Sequence, residues 1–207
     1  MATLPKSLFW RRLDTEGSDL ALVDDRRGLV ARGTAVAAGP VAHVVRYDLV
    51  TDETWASARL DVTAEGAGWL RTVRLERAAG RWRVTTAEQG DLDAALIAAG
   101  RSRAGLPGTE EPGRLDDAID IDLGYAPLFN TLPVRRLGLL SEPAGSEHRL
   151  FMAFVRVPSL EVFRSEQIYT VLGEGRVRYS SASFTADLTL DAGGWVVHYP
   201  GLADRPS

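Results

Sequence analysis

The sequence predicts an all-β domain, a mostly antiparallel β-barrel or spiral β-roll, and three observations carry that prediction. Twenty glycines and ten prolines are spread among the 207 residues as punctuation between short apolar runs, which is the texture of strands and turns. Some runs alternate: in Val44–Val50, Val45, Tyr47 and Leu49 fall on one face and Val44, Arg46, Asp48 and Val50 on the other, the period of two that a half-buried strand requires. Helical periodicity is short by comparison. Its clearest instance is Leu92, Ala95, Leu96 and Ala99, with Asp91 placed to cap the N-terminus and Gly100 to end the helix.

Taken in order, strands are expected at Leu8–Leu13, Asp19–Val23, Leu29–Ala37, Ala42–Val50, Trp55–Thr63, Trp69–Arg77 and Arg81–Thr86, with Ala67-Gly68 and Ala79-Gly80 as turns. In the fifth of these Trp55, Ser57, Arg59 and Asp61 share a face, which points into the lumen of a barrel or to water in a half-exposed sheet. After the short helix, RSRAGLPGTEEPGR is polar and rich in Gly and Pro, and reads as a mobile surface loop. A strand over Ile119–Leu123 follows, with Ile119, Ile121 and Leu123 on one face and Asp120 and Asp122 on the other. Further strands are expected at His148–Val157, Leu160–Val171, Arg176–Ser181, Phe184–Leu190 and Trp195–Tyr199. Asp191-Ala-Gly-Gly194 suits a hairpin, and Tyr199-Pro200-Gly201-Leu202 a type II turn.

Two similar halves are also legible. Tyr47-Asp-Leu-Val is echoed by Tyr169-Thr-Val-Leu, and LERAAGRW ending at Trp82 by LTLDAGGW ending at Trp195, in the same order. Duplication would build one barrel or roll from two curved sheets. Length fits a single domain over 1–207.

Composition narrows function. With 24 basic and 28 acidic residues, for a net charge of −4, the chain lacks the excess of Lys and Arg that a nucleic-acid platform needs. The absence of cysteine removes disulfides and thiolate metal sites and suits a reducing compartment. MATLPKSLFWRRL contains no apolar run of signal length, and no window approaches a membrane span. A cytoplasmic protein with no integral membrane segment is the expectation. His43, His148 and His198 are far apart in sequence and show no metal-ligand spacing. Ser180, Ser181 and Ser183 have no nucleophile-elbow context, and there is neither a dinucleotide fingerprint nor a P-loop. No cofactor is expected.

The densest chemistry lies in Ile119–Leu139, IDIDLGYAPLFNTLPVRRLGL. Asp120 and Asp122 would sit about 6.5–7 Å apart along a strand, near the separation of paired glycosidase carboxylates, so a hydrolase using this pair is one reading. No second motif supplies a nucleophile or a substrate clamp. As inward-facing acids they would instead need a cation, from Arg135, Arg136 or Arg59. Were Val134–Leu139 extended, Arg135 and Arg136 would point to opposite faces and only one would reach the lumen. Asn130 and Thr131, between Pro127 and Pro133, suit side-chain to backbone bonds that hold a loop.

DIDLGYAPLFNTLPVRRLGL, supported by Trp10, VRYDLVTDETWASARLDV, VPSLEVFRSEQIYTV and the closing HYPGLADR, resembles the signature of the "Putative glycolipid-binding" family, a bacterial family first catalogued as a domain of unknown function. The resemblance implies a curved β-sheet of the kind found in lipid carriers and a non-catalytic role in binding a glycolipid or other amphipathic ligand. It also marks residues about 90–114 as an insertion, a local ornament or a lid. About a dozen buried methylenes would gain roughly 10 kcal/mol gross before the cost of immobilising the chain. Charged and aromatic residues would then orient the head group at the mouth, and Trp55, Arg59, Asp120, Asp122, Asn130, Arg135 and Tyr169 are the candidates. A ligand-free structural or interaction module, packed solid inside, is the third reading beside the binding protein and the hydrolase.

Overall fold

The computed structural model describes residues 6–182 and 184–206. Its strands are β1 (Lys6–Arg12), β2 (Gly17–Asp24), β3 (Val30–Ala37), β4 (His43–Thr51), β5 (Ser57–Gly66), β6 (Trp69–Ala78), β7 (Arg81–Gly90), β8 (Asp120–Leu123), β9 (Glu147–Val155), β10 (Val162–Gly173), β11 (Arg176–Ser181), β12 (Phe184–Leu190), β13 (Val196–Tyr199) and β14 (Ala203–Asp204). Two short helices interrupt them, α1 (Leu92–Ala98) and α2 (Thr131–Arg136). All the strands join one sheet in the order β7-β6-β5-β4-β3-β2-β1-β14-β13-β12-β11-β10-β9-β8. Every pairing is antiparallel except β8 with β9.

The sheet consists of two sequential meanders, β1–β7 and β8–β14, joined where Arg11 and Arg12 of β1 pair with Asp204 and Ala203 of β14. The two-residue β14 is positioned by the turn before it, in which Leu202 N–H donates to Tyr199 O at 3.0 Å and Gly201 takes a φ of +71°. Only glycine enters that region freely, as the type II turn requires. Trp10 fastens the junction from inside, its indole N–H donating to Val196 O at 2.9 Å. Of the echoed sequence features, Tyr47 lies in β4 and Tyr169 in β10; Trp82, in β7, and Trp195, just before β13, each follow three strands further on.

The sheet does not close into a barrel. Its end strands, β7 and β8, do not pair with each other, but the sheet coils until β8 meets the start of β5. There Ser57 N–H donates to Ile119 O at 3.2 Å and Ile121 N–H to Ser57 Oγ at 3.1 Å. A spiral roll is therefore the form taken, and right-handed strand twist is its physical cause. Inside the coil Trp10, Tyr47, Leu49, Leu60, Leu75, Ile121 and Phe129 belong to one large core. A second core forms around Tyr169, Tyr179, Leu188 and Val196.

In β4, Val45, Tyr47 and Leu49 are buried and Arg46 and Asp48 exposed, as the alternation demands. In β5, Leu60, Val62 and Ala64 point inward. Arg59 and Asp61 therefore lie on the water side, where Arg59 and Arg74 both pair with Asp61. Helix α1 is capped by Asp91, whose carboxylate accepts from Ala94 N–H at 2.8 Å, and Leu92 and Leu96 enter the main core.

Two loops complete the fold, the second contrary to expectation. The Gly-Pro segment after α1 is largely exposed but tethered: Gly108 N–H donates to Leu160 O at 2.7 Å and Val162 N–H to Gly108 O at 2.8 Å. Beyond it Leu115 and Ala118 are buried, and the Trp82 indole donates to Ala118 O at 2.9 Å. The segment thus lies against β7 and β10. Residues 131–136 are helical rather than extended. Pro133 occupies the first turn, where its missing N–H costs nothing, Arg135 and Arg136 fill the last turn, and Gly138 at φ +67° follows the end. None of the described helices is long and apolar enough to cross a membrane. Met1–Pro5, at the head of the N-terminal segment read above, lie outside the described residues, as does Ser183.

Candidate functional site

A cavity of about 1100 Å³ opens in the second meander, just above the roughly 300–1,000 Å³ usual for small-molecule sites. Its floor is the end of β8 and the following loop, with Asp122, Leu123, Gly124 and Asn130. One wall comes from β9 and β10 through Phe154, Phe163, Ser165 and Ile168, and the other from β11 to β13 through Tyr179, Ser181, Phe184 and Tyr199. Tyr179, Phe184 and Tyr199 form a connected aromatic cluster with ring centroids 6.1–6.3 Å apart. Phe154 and Phe163 stack at 5.1 Å on the other side. Besides Asp122 on the floor, the charged residues of the lining, Asp14, Arg156, Arg164 and Glu166, stand at the rim. No residue of 90–114 borders the cavity.

Asp122 is the unusual group on the floor. It is 7% exposed, and its hydrogen bond among the described residues is accepted by Oδ2 from Gln167 Nε2 at 2.6 Å. Burial pushes its carboxyl up to about 6, against the pull of that bond. Behind it Asn130 Nδ2 donates to Tyr169 Oη at 2.9 Å, and both residues are buried. Burial foremost, and then the charge of Asp122, raises the hydroxyl of Tyr169 well above the usual tyrosine range. The same two causes raise Tyr179 and Tyr199.

The expected meeting of Asp122 with Arg135 does not occur. Because residues 131–136 are helical, successive side chains diverge by about 100°, and it is Arg136 that reaches β8. Its guanidinium donates to both oxygens of Asp120, at 3.0, 3.1 and 2.6 Å. Asp120 is fully buried and outside the cavity lining. Burial raises its carboxyl, and the Arg136 hydrogen bonds oppose that rise. The two aspartates therefore do not converge as a carboxylate pair on one cavity.

Arg135 turns the other way. It donates to Gly193 O at 2.7 Å and lies 4.4 Å over the Trp55 ring, which is 6.1 Å from Trp195. Trp55 takes φ +70°, held by a turn in which Asp52 Oδ1 accepts from Thr54 and Ala56 N–H. Of the seven residues singled out in the sequence, Asp122 and Asn130 line the cavity and Tyr169 lies directly behind Asn130. Asp120 is sealed beneath Arg136, Trp55 and Arg135 form a separate cluster, and Arg59 faces water. Gln167, Tyr179, Phe184 and Tyr199 were not legible as site residues. The only sequence signal for them was aromatic and polar alternation in predicted strands. Among the described residues no three His, Cys, Asp or Glu side chains converge in a metal-binding group.

An open β-roll that coils around an aromatic-walled cavity with an acidic floor places the protein among β-folds with an internal ligand-sized space. The chain belongs to the family described as "Putative glycolipid-binding", whose model matches residues 7–205. Among solved structures it is similar to a DUF1089 family protein from Pseudomonas aeruginosa, with 23% identity, a TM-score of 0.66, and coverage of 91% of this chain and 92% of that one. That likeness concerns the fold. No curated protein matches.

Proposed function

We propose that the protein binds an amphipathic, glycolipid-like molecule in this cavity, without catalysing a reaction on it. The supporting observation is the division of the lining into aromatic and aliphatic walls, a polar floor at Asp122 and Asn130, and a charged rim. Apolar walls capture a hydrocarbon tail through burial of its surface, and a few placed polar groups orient the head. The family description supports the ligand class. The absence of cysteine supports a cytoplasmic setting. A two-carboxylate hydrolase has less support, because Asp120 is spent on Arg136.

Native mass spectrometry of gently purified protein, with extraction and a glycolipid panel, tests the reading. The expected result is a co-purifying amphiphile or saturable binding, weakened in Phe184→Glu, which puts a charge on an exposed part of the wall. Finding neither a bound mass nor any binding across the panel would refute it.

A further inference from the structure

We propose that the cavity selects amphiphiles whose head group carries a cationic nitrogen, with Asp122 as the counter-ion; this rests on the cavity being the ligand site. A carboxyl this deeply buried either takes up a proton or needs a partner of opposite charge to stay ionised. Among the described residues Asp122 has a single neutral donor, Gln167, and that donor takes Oδ2. Oδ1 accepts from none of the described residues, and Asp122 lines the cavity, so Oδ1 is the oxygen left for a ligand.

The arginines nearby are already engaged. Arg12 pairs with Asp14, Arg156 with Glu161, Arg164 with Asp117, and Arg136 with Asp120. The floor's amide donors are turned inward as well, Gln167 to Asp122 and Asn130 to Tyr169. What faces a ligand is an acceptor with negative charge, beside the aromatic cluster of Tyr179, Tyr199 and Phe184. Ring faces attract ammonium groups, so rings and carboxylate favour the same head. A neutral sugar would gain less, since it offers no charge to Asp122.

Groups facing Asp122 from the packed elements are Gln167 and Tyr169 from β10, Tyr179 from β11, Tyr199 from β13 and Asn130 from the loop, while Asp120 on its own strand is neutralised by Arg136 of α2. At the rim stand Asp14, Arg156, Arg164 and Glu166. None of the tyrosines is ionised near neutral pH, because all three are shifted upward. Between pH 5 and 8 Asp122 itself therefore dominates the charge of the floor.

The test compares dodecylammonium, charged throughout that range, with dodecyl glucoside, which has the same tail and a neutral head, by calorimetric titration below micelle formation. At pH 8 the ammonium should bind about tenfold tighter, the scale of a partly desolvated charge and cation–π contact. That advantage should shrink to about twofold at pH 5, where the glucoside affinity of the unaltered chain stays within about twofold of its pH 8 value, and it should shrink likewise in Asp122→Asn at pH 8. The pH comparison on the unaltered chain keeps the test decisive should the variant fail to fold. Glucoside binding as tightly as ammonium at pH 8, or an ammonium preference that survives both changes, would overturn the head-group assignment and leave the cavity as a ligand site. Binding of neither amphiphile would overturn both.

Discussion

Replacing Asp19 with Asn should shift the stability of the variant relative to the wild type across the neutral range. Asp19 is fully buried in β2, in phase with Ala21 and Val23, and its oxygens accept a shared hydrogen bond from Tyr47 Oη at 3.2 and 3.4 Å. Burial raises its carboxyl from an ordinary 3.8 to about 7, with the Tyr47 bond and the charge of Arg12 opposing. A carboxyl whose folded value is raised holds its proton longer in the native state. Its contribution to stability is therefore fully present below the unfolded value of 3.8 and is lost as pH climbs through about 7. At about 1.4 kcal/mol per pKa unit, the loss between pH 5 and pH 8 is roughly 2.5 kcal/mol, or about 6 °C in Tm for a chain of this length. Asp19→Asn cannot titrate. Its stability relative to the wild type should therefore rise by that amount from pH 5 to pH 8. Asp122, with a value of about 6, titrates in both proteins and cancels. Thermal melts followed by circular dichroism at four pH values and fixed ionic strength read the difference directly. A gap that stays constant with pH would show that Asp19 is ionised in the fold, and would refute the account of a desolvated acid.

Two further substitutions probe the neighbouring design. Arg136→Ala strips the fully buried Asp120 of its cation and should cost about 3–5 kcal/mol in urea unfolding, with partial recovery in the Asp120→Asn double variant; a loss below about 1 kcal/mol would show the pair to be solvated. Gly33→Ala would place a methyl 1.9 Å from Cζ of Tyr47, displacing the ring that bonds Asp19. A loss of about 1–3 kcal/mol is expected, set against Gly113→Ala, whose new methyl meets nothing within 4 Å and should stay within about 0.5 kcal/mol. Equal melting temperatures for the two glycine variants would contradict the close packing of Tyr47 on β3.

Much of the fold is readable because period-two patterning is a local property. Val45, Tyr47 and Leu49 had one face open to them, and the turn at Tyr199–Leu202 carries its Pro and Gly in sequence. The loop between β8 and β9 was harder. Two prolines argued for irregular chain, yet Pro133 in a first turn, twin arginines in a last turn and Gly138 after them are helix signals once read together. That misreading carried through to the site, since an extended chain would aim Arg135 where a helix aims Arg136. Asp19 escaped notice for another reason. Strand β2 points a carboxylate inward while Leu20 and Leu22 stay 39% and 54% exposed, contrary to the usual sense of alternation.

By itself, then, the sequence determined the strands, the turns, the capped helix α1 and the family signature around Ile119–Leu139, because each rests on spacing within a few residues. Tertiary structure alone decided that the sheet coils without closing, that Asp120 is sealed under Arg136, and that Asp122 opens onto a cavity walled by Phe154, Tyr179 and Tyr199. Those outcomes depend on accumulated strand twist and on residues far apart in the chain meeting across the roll. No local pattern encodes which of two like carboxyls, two residues apart on one strand, will find a cation.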